Sequence, residues 1–136
     1  PAIGQVIENL VQYSTSGGPA FLLHGALAAL SEGREFLASQ IARARDGRSV
    51  VVGGLQESGR IRVAPPEGAF YLFFSVDGVD DTRRFALDLV RQTGVGLAPG
   101  TAFGPGGETY LRLCYARKRA HLKEAVRRIN AWLPAL

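Results

Sequence analysis

The feature that most constrains this chain is an arginine inside an apolar run. Residues 110–115 read YLRLCY, and a loop rich in glycine and proline separates them from a shorter apolar run at residues 95–98. With the period-2 alternation of a strand, Arg112 lies on the face opposite Leu111 and Leu113. A guanidinium stays ionised and is costly to bury without a partner, so the pattern predicts an anion beside Arg112. The planar fork of arginine suits a carboxylate, which it binds with two parallel hydrogen bonds.

That carboxylate belongs either to the chain itself or to a ligand. Glu108 and Asp77 are the possible internal partners, and internal ion pairs are more common in proteins than ligand sites. The neighbouring loop, PGTAFGPGG at residues 99–107, favours a ligand. It is too rich in turn residues for a core, and such loops place functional groups beside a rigid scaffold. The residues alone leave both interpretations open.

Three segments together resemble a known enzyme family. They are PEGAFY at residues 66–71, GLAPGTAFG at residues 96–104 and YLRLCYA at residues 110–116. In this order and spacing they are similar to the C-terminal part of class I/II aminotransferases, the aspartate-aminotransferase-like enzymes of fold type I that use pyridoxal phosphate (PLP). The resemblance implies transfer of an amino group between an amino acid and a 2-oxo acid. It implies that Arg112 binds the substrate α-carboxylate and that Phe103 lines the substrate pocket.

The resemblance also implies what this chain lacks. The family's Schiff-base lysine, the aspartate that pairs with the pyridine nitrogen and the main phosphate-binding residues precede the matched segments. We therefore expect a fragment with no catalytic residue, inactive and without PLP when alone. Ser14, Thr15 and Ser16 are expected to approach the cofactor phosphate of a partner subunit in a homodimer; alternatively, these residues only cap a helix. The parent's own large domain is a further expected partner.

Composition narrows the class of protein. The 136 residues carry a net charge of +4 and are 46% hydrophobic, which indicates a globular chain. The single cysteine, the lack of a signal-peptide pattern and the lack of a long apolar run predict a cytoplasmic protein without a membrane partner. No aromatic residues alternate with the basic ones, so we expect no nucleic-acid partner. No metal-ligand spacing is present. The alternative function is a non-enzymatic basic interaction module, with Arg112 in a structural ion pair.

Periodicity and the resemblance together predict an α/β fold. Helices are expected at residues 3–13, 21–30, 31–57, 82–93 and 118–133, and strands at residues 60–64, 70–76, 95–98 and 110–115. Because of the resemblance, we predict that the third helix continues past its glycines, which would otherwise indicate a helix end. We expect the run at residues 70–76 to be buried on both faces.

The expected architecture is the two-layer small domain of fold-type I PLP enzymes. It has a short mixed sheet covered by helices on one face, with an N-terminal helical arm. In this division, residues 1–31 belong to the large-domain and interface region of the parent, residues 32–59 form a connecting helix, and residues 60–136 form the small domain.

Overall fold

A computed structural model describes residues 2–133 of the chain. Its helices are α1 (Ala2–Thr15), α2 (Ala20–Glu32), α3 (Arg34–Gln56), α4 (Thr82–Thr93) and α5 (Arg119–Trp132), with a 3-10 helix at Gly100–Phe103. Its strands are β1 (Ile61–Val63), β2 (Tyr71–Val76), β3 (Ala98–Pro99) and β4 (Tyr110–Cys114). Every predicted helix and strand is present, and the fold class is confirmed. No helix within these residues combines the length and the apolar character needed to cross a membrane.

The chain divides into two compact units, and the division falls inside α3, between Gln40 and Ile41. The first unit contains α1 and α2. Its apolar side chains are exposed, as at Ile3 (75%) and Leu30 (88%). The second unit contains the rest of α3, the sheet, α4 and α5, and the hydrophobic core lies there.

The sheet has the strand order β1-β2-β4-β3, and each pairing in the described residues is antiparallel. The expected mixed sheet is therefore antiparallel instead. The reason lies in the connection from β2 through α4 to β3, which leaves β2 and β3 running in the same direction. Because β4 inserts between them and runs opposite to both, the two parallel strands never become neighbours.

One face of this sheet is buried and the other is open. Leu72, Phe74 and Leu111 are fully buried, and they share the core with residues of α3, α4 and α5. On the opposite face Phe73 is 37% exposed and Tyr110 is 40% exposed. The prediction that the β2 run is buried on both faces is therefore wrong, because the helices cover only one face.

Helix α3 runs through the glycines that would ordinarily end a helix, as the resemblance predicted. A Cβ atom at Gly47 would lie 2.6 Å from the Tyr115 carbonyl oxygen, and one at Gly54 would lie 2.6 Å from Val126 Cγ1. The Asn130 side-chain amide also donates to the Gly54 carbonyl over 2.7 Å. These glycines therefore allow the backbone of α3 to approach α5 and the end of β4 closely, a benefit that offsets their low helix propensity.

Both ends of α4 are capped. The Asp81 side chain accepts a hydrogen bond from the Arg84 amide over 2.9 Å. At the other end Gly94 adopts φ 71°, the left-handed conformation typical of a residue that terminates a helix. Strand β3 is shorter than predicted, because Val95 and Leu97 pack against the core without pairing and only Ala98–Pro99 join β4.

Candidate functional site

Arg112 lies in the middle of the sheet, on its open face. In the strand register it is opposite Phe73 of β2 on one side and Ala98 of β3 on the other. Its neighbours Leu111 and Leu113 are buried on the covered face, with 0% and 5% exposure. The alternation of the strand therefore directs the arginine side chain away from the core.

Two aromatic rings flank the Arg112 guanidinium. Its Cζ lies 4.2 Å from the centroid of the Tyr71 ring and 4.0 Å from the centroid of the Phe103 ring. Both distances are well within the roughly 6 Å over which a cation is attracted to an aromatic face. These contacts stabilise the cation through the ring quadrupoles, but they do not use its N–H donors.

Neither carboxylate considered as an internal partner pairs with Arg112. Asp77 accepts two hydrogen bonds from Arg62, at 2.7 Å and 3.1 Å. The Glu108 carboxylate accepts from the Gly106 amide over 3.3 Å. Throughout residues 2–133, no ion pair includes Arg112. The alternative interpretation, an ion pair of Arg112 with Glu108 or Asp77, is therefore not supported by the structure, because Arg62 of β1 pairs with Asp77 after the end of β2.

The loop that carries Phe103 is closed by a contact between two glycines. A Cβ atom added to Gly100 would lie 2.2 Å from the Gly107 carbonyl oxygen, and one added to Gly107 would lie equally close to the Gly100 oxygen. The buried Thr82 hydroxyl donates to the Glu108 carbonyl over 2.9 Å and ties the end of the loop to α4. This arrangement holds Phe103 against Arg112 while leaving the residue 46% exposed.

Two further aromatic residues extend the site along the open face. The Phe73 ring centroid lies 5.7 Å from that of Phe103 and 5.8 Å from that of Tyr110. The resemblance indicated Phe103 as a site residue but not Tyr71, Phe73 or Tyr110. The available signal was strand parity: these residues alternate with the buried positions and therefore share a face with Arg112.

The segment before β2 is held by hydrogen bonds to its backbone. Ala69 adopts φ 58°, an uncommon conformation for a residue with a side chain. The Tyr115 hydroxyl donates to the Ala69 carbonyl over 3.2 Å, and the Tyr115 amide donates to the Phe70 carbonyl over 2.9 Å. Arg48 donates to the Pro66 carbonyl over 2.8 Å. Burial raises the pKa of the Tyr115 phenol, which extends to higher pH the range over which its hydroxyl can donate. Together these contacts set where β2 begins and hence where Tyr71 lies.

Ser14, Thr15 and Ser16 lie at the end of α1, in the unit that ends at Gln40. Their hydroxyls are exposed and donate to the carbonyl groups four residues earlier, over 2.6, 3.2 and 3.3 Å. They do not cap α2, which begins after Pro19 without a side-chain capping bond. Their predicted contact with a cofactor phosphate stays a prediction.

The chain is similar in sequence to proteins named as aminotransferases. No family model matches it. A valine–pyruvate aminotransferase from Mycobacterium tuberculosis is 39% identical over 90 residues, which cover 65% of this chain and 23% of that protein. An aspartate/prephenate aminotransferase from Cereibacter sphaeroides is 34% identical over 143 residues, covering 97% of this chain and 35% of that protein. The chain thus spans about a quarter to a third of the length of these relatives.

Solved structures agree with the sequence relatives. The crystal structure of an aminotransferase from M. tuberculosis matches with a TM-score of 0.89 at 30% identity, over 97% of this chain and 35% of that one. A PLP-bound structure from Clostridium difficile 630 matches with a TM-score of 0.70 at 28% identity, over 78% of this chain and 28% of that one. The α/β architecture around Arg112 is therefore that of known aminotransferase structures.

Proposed function

We propose that this chain, which is homologous to class I/II PLP-dependent aminotransferases, is the small-domain part of a longer aminotransferase. That enzyme moves an amino group between an amino acid and a 2-oxo acid. The proposal extends to a homodimer in which this part packs against its own large domain. Ser14, Thr15 and Ser16 would approach the cofactor phosphate of the partner subunit.

Within that enzyme we assign to Arg112 the binding of the substrate α-carboxylate. One observation carries the assignment: the guanidinium lies between the Tyr71 and Phe103 rings on the open sheet face, without a carboxylate partner in residues 2–133. Aromatic contacts to a guanidinium leave its N–H groups available at the edge of the plane. A substrate carboxylate can then accept two parallel, charge-assisted hydrogen bonds from the fork. Phe103, held by the closed glycine loop, covers one side of that site.

The residues of this chain do not by themselves fit PLP. The two lysines of the sequence are Lys118, which precedes α5, and Lys123, which is exposed on that helix. Helix α5 packs on the covered face of the sheet, so neither amine shares a face with Arg112. The cofactor would be held by the rest of the enzyme, where it acts as the electron sink for amino transfer. We expect the 136-residue chain alone to bind no PLP, and the absence of a cofactor absorbance band after dialysis would agree with this.

The test compares Arg112→Leu in the 136-residue chain and in the full-length enzyme. In the chain we expect the free energy of unfolding to fall by no more than about 1–2 kcal/mol, the value of two partly exposed cation–π contacts. In the enzyme we expect kcat/KM to fall by about two to four powers of ten, because the substrate carboxylate loses its charged partner. Arg112→Lys should recover only part of this, since an ammonium cannot reproduce the planar fork.

Arg83→Leu is the matched control, because Arg83 is an exposed arginine on α4. It should leave both quantities nearly unchanged. A structural role for Arg112 predicts the opposite pattern: a loss of about 3–5 kcal/mol of stability in the chain itself. That result, or an unchanged kcat/KM in the enzyme, would contradict the assignment.

A further inference from the structure

Tyr115 lies on the side of the sheet opposite Arg112. It follows β4 directly and shares the parity of Leu111 and Leu113, and it belongs to the hydrophobic core with 2% of its surface exposed. A ligand at Arg112 therefore cannot touch the Tyr115 ring. The Tyr115 hydroxyl nevertheless reaches the segment that precedes β2, where it donates to the Ala69 carbonyl over 3.2 Å. Any effect of Tyr115 on Arg112 has to pass through that segment.

Helix α3 supplies a second contact to the same segment. Arg48 donates to the Pro66 carbonyl over 2.8 Å. A cavity of about 230 Å³ is lined by residues of α3, by Tyr115 and by residues 67–69. A Cβ atom added to Gly68 would meet no heavy atom within 4 Å. Within this chain, residues 66–69 are therefore held against α3 and β4 by hydrogen bonds to their carbonyl groups more than by close packing.

The backbone of this segment needs such support. Ala69 adopts φ 58°, a conformation that is uncommon for a residue with a side chain and that persists where surrounding contacts determine it. Besides the bond from its hydroxyl to Ala69, Tyr115 donates from its backbone amide to the Phe70 carbonyl over 2.9 Å. One residue thus fixes two successive carbonyl groups immediately before Tyr71.

Tyr71 depends on this support because neighbouring strands pair with it on one side only. It is the first residue of β2 and lies opposite Cys114 of β4, whereas β1 pairs with residues 74–76 and does not reach it. The centroid of its ring lies 4.2 Å from the Arg112 Cζ. A change in the direction from which the chain enters β2 would therefore move this ring relative to the guanidinium.

From these contacts we infer that Tyr115 and Arg48 are positioning residues for Arg112, which act through the backbone of residues 66–70 and the ring of Tyr71. The inference rests on the proposed function, because the carboxylate role of Arg112 is what this positioning serves. It deepens that function by extending the site to one side chain from α3 and one from the end of β4. The competing explanation is that the pairing of β2 with β4 places Tyr71 by itself, and that the two side chains only add stability.

The test is NMR of the 136-residue chain, observing the Nε–H resonance of Arg112. Aromatic ring currents displace the resonances of groups above their faces, so this signal reports where the flanking rings lie. Tyr71→Leu removes one ring and sets the direction and the full size of the change. We expect Tyr115→Phe and Arg48→Leu each to move the Arg112 resonance in that direction. Arg48→Lys should move it less than Arg48→Leu, because the ammonium can still donate to a carbonyl.

Asn130→Ala is the matched control. The Asn130 amide donates to the Gly54 carbonyl over 2.7 Å within the same compact unit, residues 41–136. The variant loses a side-chain hydrogen bond to a backbone carbonyl, as Tyr115→Phe does, but at a place remote from the segment before β2. It should lower the stability of the chain and leave the Arg112 resonance in place.

Kinetics of the full-length enzyme separate the inference from the proposed function. Tyr115→Phe should raise KM for the amino acid by about three- to tenfold and change kcat less, because a displaced binding group weakens substrate binding. Asn130→Ala should change neither constant. An unchanged KM in Tyr115→Phe, in an enzyme whose kcat/KM does fall with Arg112→Leu, would overturn the inference.

The NMR measurement decides the remaining cases. If the Arg112 resonance stays in place in Tyr115→Phe and in Arg48→Leu while Tyr71→Leu moves it, strand pairing alone places the ring and the inference is overturned, whatever binds to Arg112. If the resonance moves in these variants but Arg112→Leu leaves kcat/KM unchanged, the positioning of Arg112 stands and the proposed function fails.

Discussion

The three glycines in the second half of α3 allow a sharp test of how this helix packs. Gly53 has no atom within 4 Å of the position that a Cβ would occupy, so alanine fits there freely. Gly47 and Gly54 both face α5 at close range. The same substitution, glycine to alanine, therefore probes the helix backbone at one position and the packing at the other two.

The expected magnitudes follow from the contact distances. Gly53→Ala should raise the free energy of unfolding by about 0.5–1 kcal/mol, the usual gain from replacing a helical glycine. At Gly47 the added Cβ would lie 2.6 Å from the Tyr115 carbonyl oxygen and 3.0 Å from Leu122 Cδ1. A backbone carbonyl cannot rotate away, so the overpacking cost of about 1–3 kcal/mol exceeds the helical gain. We expect Gly47→Ala to lower the stability by about 1–2 kcal/mol.

Gly54→Ala should fall between these two variants. Its Cβ would lie 2.6 Å from Val126 Cγ1, which is a side-chain atom, but a β-branched residue in a helix has one strongly preferred rotamer. Urea unfolding, followed by the fluorescence of Trp132, ranks the three variants by their free energy of unfolding. Trp132 reports on unfolding because its ring packs against Phe85, with the ring centroids 5.1 Å apart. As a control, the slope of the free energy of unfolding against urea concentration should be equal in all variants, which shows that they unfold from equally compact states. If Gly47→Ala proved as stable as Gly53→Ala, the close approach of α3 to the end of β4 would be refuted.

Three more predictions concern the rest of the molecule. Tyr115→Phe removes the donor to the Ala69 carbonyl and should lower the free energy of unfolding by about 0.5–1.5 kcal/mol. A loss below about 0.3 kcal/mol, measured by urea unfolding, would show that this hydrogen bond does not contribute to stability. Arg127 and Arg128 lower the pKa of Glu124 to about 2, below the ordinary value of 4.5, so its contribution to stability is present above pH 4.5 and is lost as the pH falls toward 2. In thermal melts at a series of pH values, Glu124→Gln should reduce the fall in melting temperature between pH 4.5 and pH 2. If the variant lost stability over this pH range as steeply as the wild type, the role of Glu124 would be contradicted. Because α1 and α2 expose their apolar side chains, the isolated chain should self-associate at about 100 µM, and a single monomeric boundary in sedimentation velocity would count against this.

Local sequence patterns predicted the helices and strands of the second unit well, because the formation of these elements depends mainly on residues that are close in the sequence. The spacing of Phe85, Ala86 and Leu89 predicts α4, and these residues are buried as expected. The extension of α3 past Gly47 could not come from local propensity, since glycine argues for a helix end. Its cause is a contact with α5, roughly seventy residues later in the chain, so only the resemblance to a family could predict it.

The open face of the sheet escaped prediction for a different reason. The run FYLFFSV at residues 70–76 is apolar at almost every position, so hydrophobicity does not distinguish its two faces. Phe73 and Tyr71 belong to the half-exposed face, and an aromatic residue suits either a core or a site. The position of Phe103 next to Arg112 likewise depends on the contact between Gly100 and Gly107, which no periodicity reveals.

The kind of partner that surrounds Arg112 bears on whether it can bind a ligand. A carboxylate of the chain would stabilise the cation by accepting from its N–H groups, and a substrate would then have to displace it. Tyr71 and Phe103 stabilise the same cation through their rings, at 4.2 Å and 4.0 Å, and accept no hydrogen bond from it in doing so. The rings also restrict where the guanidinium can lie, which lowers the conformational entropy lost when a ligand binds. Within residues 2–133 no carboxylate pairs with this guanidinium, and the proposed role in binding a substrate carboxylate requires N–H groups that its aromatic neighbours do not occupy.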